Sequence, residues 1–375
     1  MDKGPGPAVG VRSGAGRNAG ATPAKSFFAL ATALATALTS SPASAATASA
    51  GEAPTAPLYA EHARLAAQSL LIAIAAAGER LVAVGDRGVI VLSDDRGASW
   101  AQAEEVPTQA LLTGVCFRDA QHGVAVGHDE VILASADAGR TWKRTHYAPE
   151  AQRPLLDVWC GPGGHVIAVG AYSTYLTSDD GGASWQEGGF TPAAGRETAP
   201  ARSGGATGVA AAGGYHLNRI VSGDGARLYI AAEAGHLYRS DDNGVSWLTL
   251  ASPYDGSFFG VLPVAGQVVL AFGLRGNLYR SEDAGSSWRR IETGTVAMLD
   301  GAARLDDGTV ALVGLAGVVL LSHDGARSFT LLQLADRAGL AAARGAGNLH
   351  LAVVGENGAR RLALEAPAAT DRSAR

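Results

Sequence analysis

One eight-residue pattern, Ser-x-Asp-x-Gly-x-Ser/Thr-Trp, recurs through the chain at a nearly fixed interval. It first reads Ser93-Asp94-Asp95-Arg96-Gly97-Ala98-Ser99-Trp100 and returns ending at Trp142, Trp185, Trp247 and Trp288. A sixth copy, Ser322-His323-Asp324-Gly325-Ala326-Arg327-Ser328-Phe329, moves the glycine by one place and ends in Phe. The aromatic ends lie 42, 43, 62, 41 and 41 residues apart. A period near 42 is that of a solenoid or propeller, whose units bury their apolar faces only against one another. A second marker stands eight residues before each motif serine: Gly85, Gly127, Gly170, Gly273 and Gly314, with Ala232 in the fourth unit. A last copy, Leu351-Ala352-Val353-Val354-Gly355, has no motif after it. The count is therefore seven units, starting near residues 70, 111, 155, 216, 257, 296 and 338.

Each unit reads as four short strands; in the second they are predicted at 112–117, 123–127, 131–134 and 141–146. Runs this short, bounded by turn residues, are strands, and four of them per 42 residues make one propeller blade. Gly supplies 50 of 375 residues, nearly twice the usual ~7 %, as a fold of many tight turns requires. The fold class expected is all-β: a seven-bladed β-propeller of four-stranded antiparallel blades over residues 58–365. The seventh unit lacks a fourth strand of its own. Residues 57–65 are expected to supply it and so close the ring, the alternative being a short helix. The single long interval holds an insertion, 188–214, rich in Gly, Ala and Pro and read as a mobile loop between blades three and four. Residues 366–375 are read as a disordered tail.

Ahead of the repeats, residues 1–25 carry Lys3, Arg12, Arg17 and Lys25 against one acid, Asp2. An apolar run through Leu38 and the small-residue site Ala43-Ser44-Ala45 follow. These are the three parts of a secretory signal, so 1–45 is read as a signal peptide and 46–57 as a linker. The run is too short to span a bilayer, which needs ~20 apolar residues. The expected location of the mature chain is the periplasm or outside the cell. The net charge is −5 and the lysines are only Lys3, Lys25 and Lys143, which argues against a nucleic-acid surface.

The repeated motif explains itself as turn chemistry. A carboxylate at Asp95, Asp137, Asp180, Asp242, Asp283 and Asp324 can accept N–H bonds of its own turn. The glycine permits a positive φ, and the Trp packs between blades. A calcium loop of the EF-hand kind needs further ligands and a distal Glu; these are absent, so no metal and no cofactor are expected. The motif is the Asp-box, or BNR repeat, of sialidase-like propellers. Seven regular Asp-box blades with Ala-Val-Gly markers and an export signal resemble the photosystem II stability/assembly factor family, over roughly residues 58–365. That resemblance implies a soluble scaffold, periplasmic or, in a photosynthetic host, in the thylakoid lumen, that helps a membrane-protein complex assemble; the chain is expected to be monomeric. The alternative is a secreted sialidase-like glycoside hydrolase or carbohydrate-binding propeller. Against catalysis, the Arg-Ile-Pro segment of sialidases is missing, the blades are seven rather than six, and no nucleophile, Walker or zincin motif occurs.

In a propeller the loops from strand two to strand three gather on one face. Here they follow the marker glycines and present Asp86, Arg87, His128, Asp129, Glu130, Tyr172, Glu233, Arg275 and Glu356; Tyr254 joins them from a connection between blades. Tyr and Arg are favoured interface anchors, so these residues are the candidate partner-binding set, and the Asp-box turns are expected on the opposite face. Cys116 and Cys160, the only cysteines, fall on the innermost strands of neighbouring blades. A disulfide is open to them, but two buried free thiols are favoured, because separate blades can hold the Cα atoms too far apart.

Overall fold

A computed structural model describes residues 56–195, 214–347 and 349–364. The signal peptide, most of the linker, the middle of the insertion and the tail lie outside the described residues. Within them the chain forms seven antiparallel sheets arranged as a propeller, six of four strands and one of three. The innermost strands are Leu71–Ala77, Leu112–Phe117, Leu155–Cys160, Leu217–Ser222, Phe258–Ala265, Leu299–Arg304 and Leu340–Gly345. The four strands of blade two are Leu112–Phe117, Gly123–Gly127, Ile132–Ser135 and Lys143–His146, one or two residues from the predicted limits.

The Ala-Val-Gly text has a direct cause. Each second strand is sandwiched between neighbouring blades, and Gly123–Gly127, Val166–Gly170, Leu228–Ala232 and Val310–Gly314 are buried throughout. A strand covered on both faces loses polar alternation. The marker glycine is set by close approach: a Cβ on Gly127 would sit 2.2 Å from the carbonyl oxygen of Leu111, at the entry to the first strand.

The repeated turn is held as its spacing predicts. In blade two, Asp137 Oδ1 accepts the Ser135 hydroxyl (2.9 Å) and the Thr141 N–H (2.9 Å), and Oδ2 accepts the Thr141 hydroxyl (2.6 Å). Ser135 in turn accepts the N–H of Gly139 (2.9 Å). Burial opposes ionisation of Asp137, but the bonds from Thr141 and Ser135 outweigh it and hold the carboxyl below its usual range. The sixth copy keeps the bonds despite its shifted glycine. Its two left-handed residues are Gly325 and Ala326 where blade two has Ala138 and Gly139, so the backbone conformation survives the exchange of order. Asp137→Ala, which leaves turn N–H and hydroxyl donors unpaired, is expected to lower unfolding free energy by about 2 kcal/mol. Urea denaturation checks this; coincident curves for variant and parent would refute the structural role.

Two expectations need correction. Residues 57–65 form no strand, and among the described residues blade seven has three strands, the last being Gly358–Ala363. The segment diverges to blade one instead. The Ala60 N–H donates to Val106 O (2.9 Å), the Ala63 N–H to the Gln102 side chain (2.9 Å), and Gln109 to Tyr59 O (2.8 Å). It provides only the passage into the first blade, closed by the short 3-10 turn Ala66–Gln68 against Gly358. The insertion is also less free than expected. Phe190 packs among Tyr175, Tyr238 and Trp247, with ring centroids 5.0–5.8 Å away, and Ala193 exchanges backbone bonds with Trp247 and Thr249. Only 196–213 lies outside the described residues.

Candidate functional site

The loops from strand two to strand three share one local geometry. In blades one, two, three, five and six they are three-residue 3-10 turns, Asp86–Gly88, His128–Glu130, Ala171–Ser173, Leu274–Gly276 and Leu315–Gly317. The middle residue of each has positive φ: Arg87, Asp129, Tyr172, Arg275 and Ala316, all between 52° and 61°. Ala234 does the same in blade four. Blade seven uses a shorter, two-residue turn, Glu356-Asn357. This geometry lifts one side chain per blade away from the ring. Arg87, Asp129, Tyr172, Ala234, Arg275 and Asn357 are exposed, and Ala316 is half-buried. Six blades thus share the left-handed backbone, and the seven positions carry five kinds of side chain: Arg, Asp, Tyr, Ala and Asn.

The other candidates divide. Glu130 is buried, its side chain 2 % exposed, and accepts bonds from Arg153 (2.7 Å) and His146 (3.2 Å); Arg153 also holds Glu187. This carboxylate locks blades two and three together and is withdrawn from the surface. Glu233 and Glu356 each use their carboxylate to accept the N–H leading into their own blade's first strand, from His216 (3.0 Å) and Gly339 (2.9 Å). Tyr254 stacks on Tyr279 and lies edge-on to Phe258, centroids 6.1 and 5.9 Å away. Its ring fills the base of its loop rather than reaching outward. His128 is half-buried, and burial lowers its pKa. Asp86 is half-buried and lies 3.9 Å from Arg87.

Residues the sequence reading did not single out join the exposed ones. Tyr172 meets His216 edge-to-face at 5.0 Å, and His216 lies 3.3 Å from Glu233. Tyr215 stacks on His236 at 3.9 Å. These rings form an aromatic and imidazole patch across blades three and four, where the insertion returns. The only signal for it in sequence is the cluster Tyr215-His216 just after a Gly/Ala-rich stretch.

Two further polar features line the centre. On the inner strands, Asp157 of blade three accepts the Ile220 N–H (2.9 Å) and sits 3.8 Å from Arg219 of blade four. Asp300 of blade six borders the lumen, enclosed by protein, with no hydrogen bond from another described group. Burial pushes its pKa up to about 7, against a weaker opposing pull from Arg219. On the face opposite the loops, a cavity of about 750 Å³ opens at the mouth of the ring among Glu79, Arg96, Arg304, Asp306 and Arg344. Among the described residues no group of three or more His, Cys, Asp or Glu is placed to hold a metal ion.

The two cysteines are joined: Cys116 and Cys160 form a disulfide with Cα atoms 5.7 Å apart. The favoured expectation of free thiols is thereby corrected. Blades radiate from a centre, so their first strands converge, and neighbouring Cα atoms there come within bonding range.

Residues 92–187 match the family model described as photosynthesis system II assembly factor YCF48. That stretch, about a quarter of the chain, resembles the assembly-factor family. Among solved structures it is similar to a YCF48 bound to D1 peptide, with TM-score 0.61, 14 % identity, and coverage of 82 % of this chain and 97 % of that one. It is similar to YCF48 from Cyanidioschyzon merolae, with TM-score 0.59, 16 % identity, and coverage of 83 % and 99 %. The WD40 β-propeller domain of Doa1 follows at TM-score 0.58, 13 % identity, and coverage of 83 % and 97 %. At these identities the structural likenesses establish the propeller fold alone. No curated protein matches the sequence.

Proposed function

We propose that this photosystem II assembly factor-like propeller is an exported, monomeric, non-enzymatic scaffold. On its loop face it binds a segment of a membrane-protein complex and assists that complex's assembly or stability. The observation that carries this reading is the ring of loop positions, Arg87, Asp129, Tyr172, Ala234, Arg275 and Ala316 in left-handed turns and Asn357 in a shorter one, which together present five kinds of side chain. Variation mounted on a rigid repeat is how loop-borne recognition is built, and Tyr and Arg are the side chains that anchor interfaces. The match of residues 92–187 to the assembly-factor model, and the D1 peptide bound by a structurally similar YCF48, support the class of partner. The Cys116–Cys160 bond supports an oxidising compartment such as the periplasm.

The test is capture from detergent-solubilised membranes of the host. Combined Arg87→Ala, Tyr172→Ala and Arg275→Ala substitutions should reduce the retained membrane protein at least tenfold, since each anchor is worth on the order of 1 kcal/mol or more. Thermal unfolding should shift little, because all three side chains are exposed. Undiminished capture would move the site off this face. Turnover of chromogenic glycosides, abolished by changing one acid, would replace the scaffold with a hydrolase.

A further inference from the structure

Among the described residues blade seven is the one blade without an outer strand, and none of them pairs with the outer edge of its third strand, Gly358–Ala363. Which groups face that edge follows from the other blades. In blade one, Ile90 O accepts the Ala103 N–H on the outer side; in blades four and five, Leu237 O and Leu278 O accept from Leu250 and Ile291. Ile90 pairs with Val84, immediately before the marker glycine, just as Ala359 pairs with Val354. Ala359, and by alternation Arg361 and Ala363, therefore turn N–H and C=O outward, while Leu364 points inward to Leu349 O (2.7 Å). Among the described residues no backbone bond meets these outward groups. The segment 57–65, which could have paired with them, is bound to blade one instead.

The surroundings specify what fits. On blade six, Leu331 lies against Gly294 toward blade five, so the next residue, Leu332, faces the empty position of blade seven. Leu332 is 42 % exposed, among the few large apolar side chains left open. On the strand itself, Arg360 reaches Asp336, whereas Arg361, on the blade-one side, is exposed and has no ion pair among the described residues. An added strand would present an apolar row to Leu332 and an acidic row to Arg361. A second copy of this chain is a poor occupant: antiparallel pairing of two such edges sets arginines against arginines, which is destabilising. The chain's own residues 365–375, EAPAATDRSAR, offer no apolar side chain larger than Ala and Pro to cover Leu332.

We propose that the open edge of blade seven is a second binding site, which captures an extended segment of a partner protein with alternating apolar and acidic residues as the blade's fourth strand. This is recognition by strand addition: backbone bonds give affinity, and the two side-chain rows give selectivity. It goes beyond the loop-face reading and is independent of it.

The probe is a fluorescent eight-residue peptide of alternating valine and glutamate, titrated by anisotropy against the full mature chain. Binding should fall at least tenfold for Arg361→Pro, which removes an outward N–H at a position where an edge strand tolerates proline. Arg361→Glu, which has no backbone effect, should weaken the glutamate peptide tenfold and favour an alternating valine–lysine peptide. N-methylation of alternate peptide residues should abolish binding, and Tyr172→Ala with Arg275→Ala should leave it unchanged. Equal affinity for glutamate and lysine peptides, no binding of either, or indifference to both Arg361 variants would overturn the proposal. A tenfold gain on deleting residues 365–375 would overturn it in favour of the chain's own tail. A concentration-dependent dimer lost in Arg361→Pro would overturn it in favour of self-pairing.

Discussion

Removing the Cys116–Cys160 bond is expected to cost about 4 kcal/mol of unfolding free energy. The two residues lie 44 positions apart in sequence, and closing a loop of that length restricts the unfolded chain by about that amount. The bond also ties the inner strands of blades two and three, where each blade otherwise meets its neighbour through side chains. Urea denaturation of the Cys116→Ala/Cys160→Ala double variant, beside the parent with and without reductant, measures the effect. The variant and the reduced parent should coincide and unfold at lower urea. A midpoint equal to that of the oxidised parent would show that the bond adds nothing.

Asp300 is expected to give stability an unusual pH slope. In the native ring its pKa is raised to about 7, first by burial, while Arg219 pulls the other way; an unfolded aspartate titrates near 4. Between those values the native state keeps a proton that the unfolded chain has released, so stability falls as pH rises through that window. Asp300→Asn removes the group that ionises. Its stability should match the parent below about pH 4 and exceed it by about 2–4 kcal/mol at pH 8, from roughly 1.4 kcal/mol per pKa unit with allowance for contact with the lumen. Unfolding of both proteins at pH 4, 6 and 8 decides this. Parallel pH profiles would show that Asp300 is ionised throughout.

The period of the Ser-x-Asp-x-Gly-x-Ser/Thr-Trp motif made the blades legible because the turn is self-contained. Asp137, Ser135, Thr141 and Gly139 satisfy one another within seven residues, so spacing alone encodes the geometry. The left-handed turns after the marker glycines were legible in place but not in detail. Nothing local distinguishes Asp129, which is lifted into solvent, from Glu130 beside it. Glu130 is drawn inward by His146 and Arg153, which are 16 and 23 residues away. Ring closure was misread for a related reason. Residues 57–65 have the right spacing for blade seven, but hydrogen-bond partners at Gln102 and Val106 compete for them and win. Composition likewise hid the anchored part of the insertion. Its Gly, Ala and Pro content suggested a free loop, while one aromatic, Phe190, was enough to dock its first residues. The cavity opposite the loops left no trace in the motif pattern, because Arg96, Arg304 and Arg344 come from three separate blades.

A ring whose described residues include no interlocking strand behaves like a split washer. Between blades one and two, the Glu104 and Trp142 N–H groups donate across the joint to Arg140 and Glu105 carbonyls. Between blades seven and one, no such bond is found among the described residues. That joint is closed by the turn Ala66–Gln68 against Gly358 and by side chains, Ala66, Leu71, Ala83, Ala342 and Val354 in one cluster and Leu81, Ala346 and Ala352 in another. Backbone bonds are equally absent between blades four and five, five and six, and six and seven, but the chain itself spans those joints; among the described residues only this joint is not spanned, so the ring yields most readily here. The arginine-lined cavity straddles it, with Arg96 on one lip and Arg344 on the other. Its aperture is set by how far one small-residue joint gapes, and whatever bridges the two lips acts as a clasp on the entire wheel.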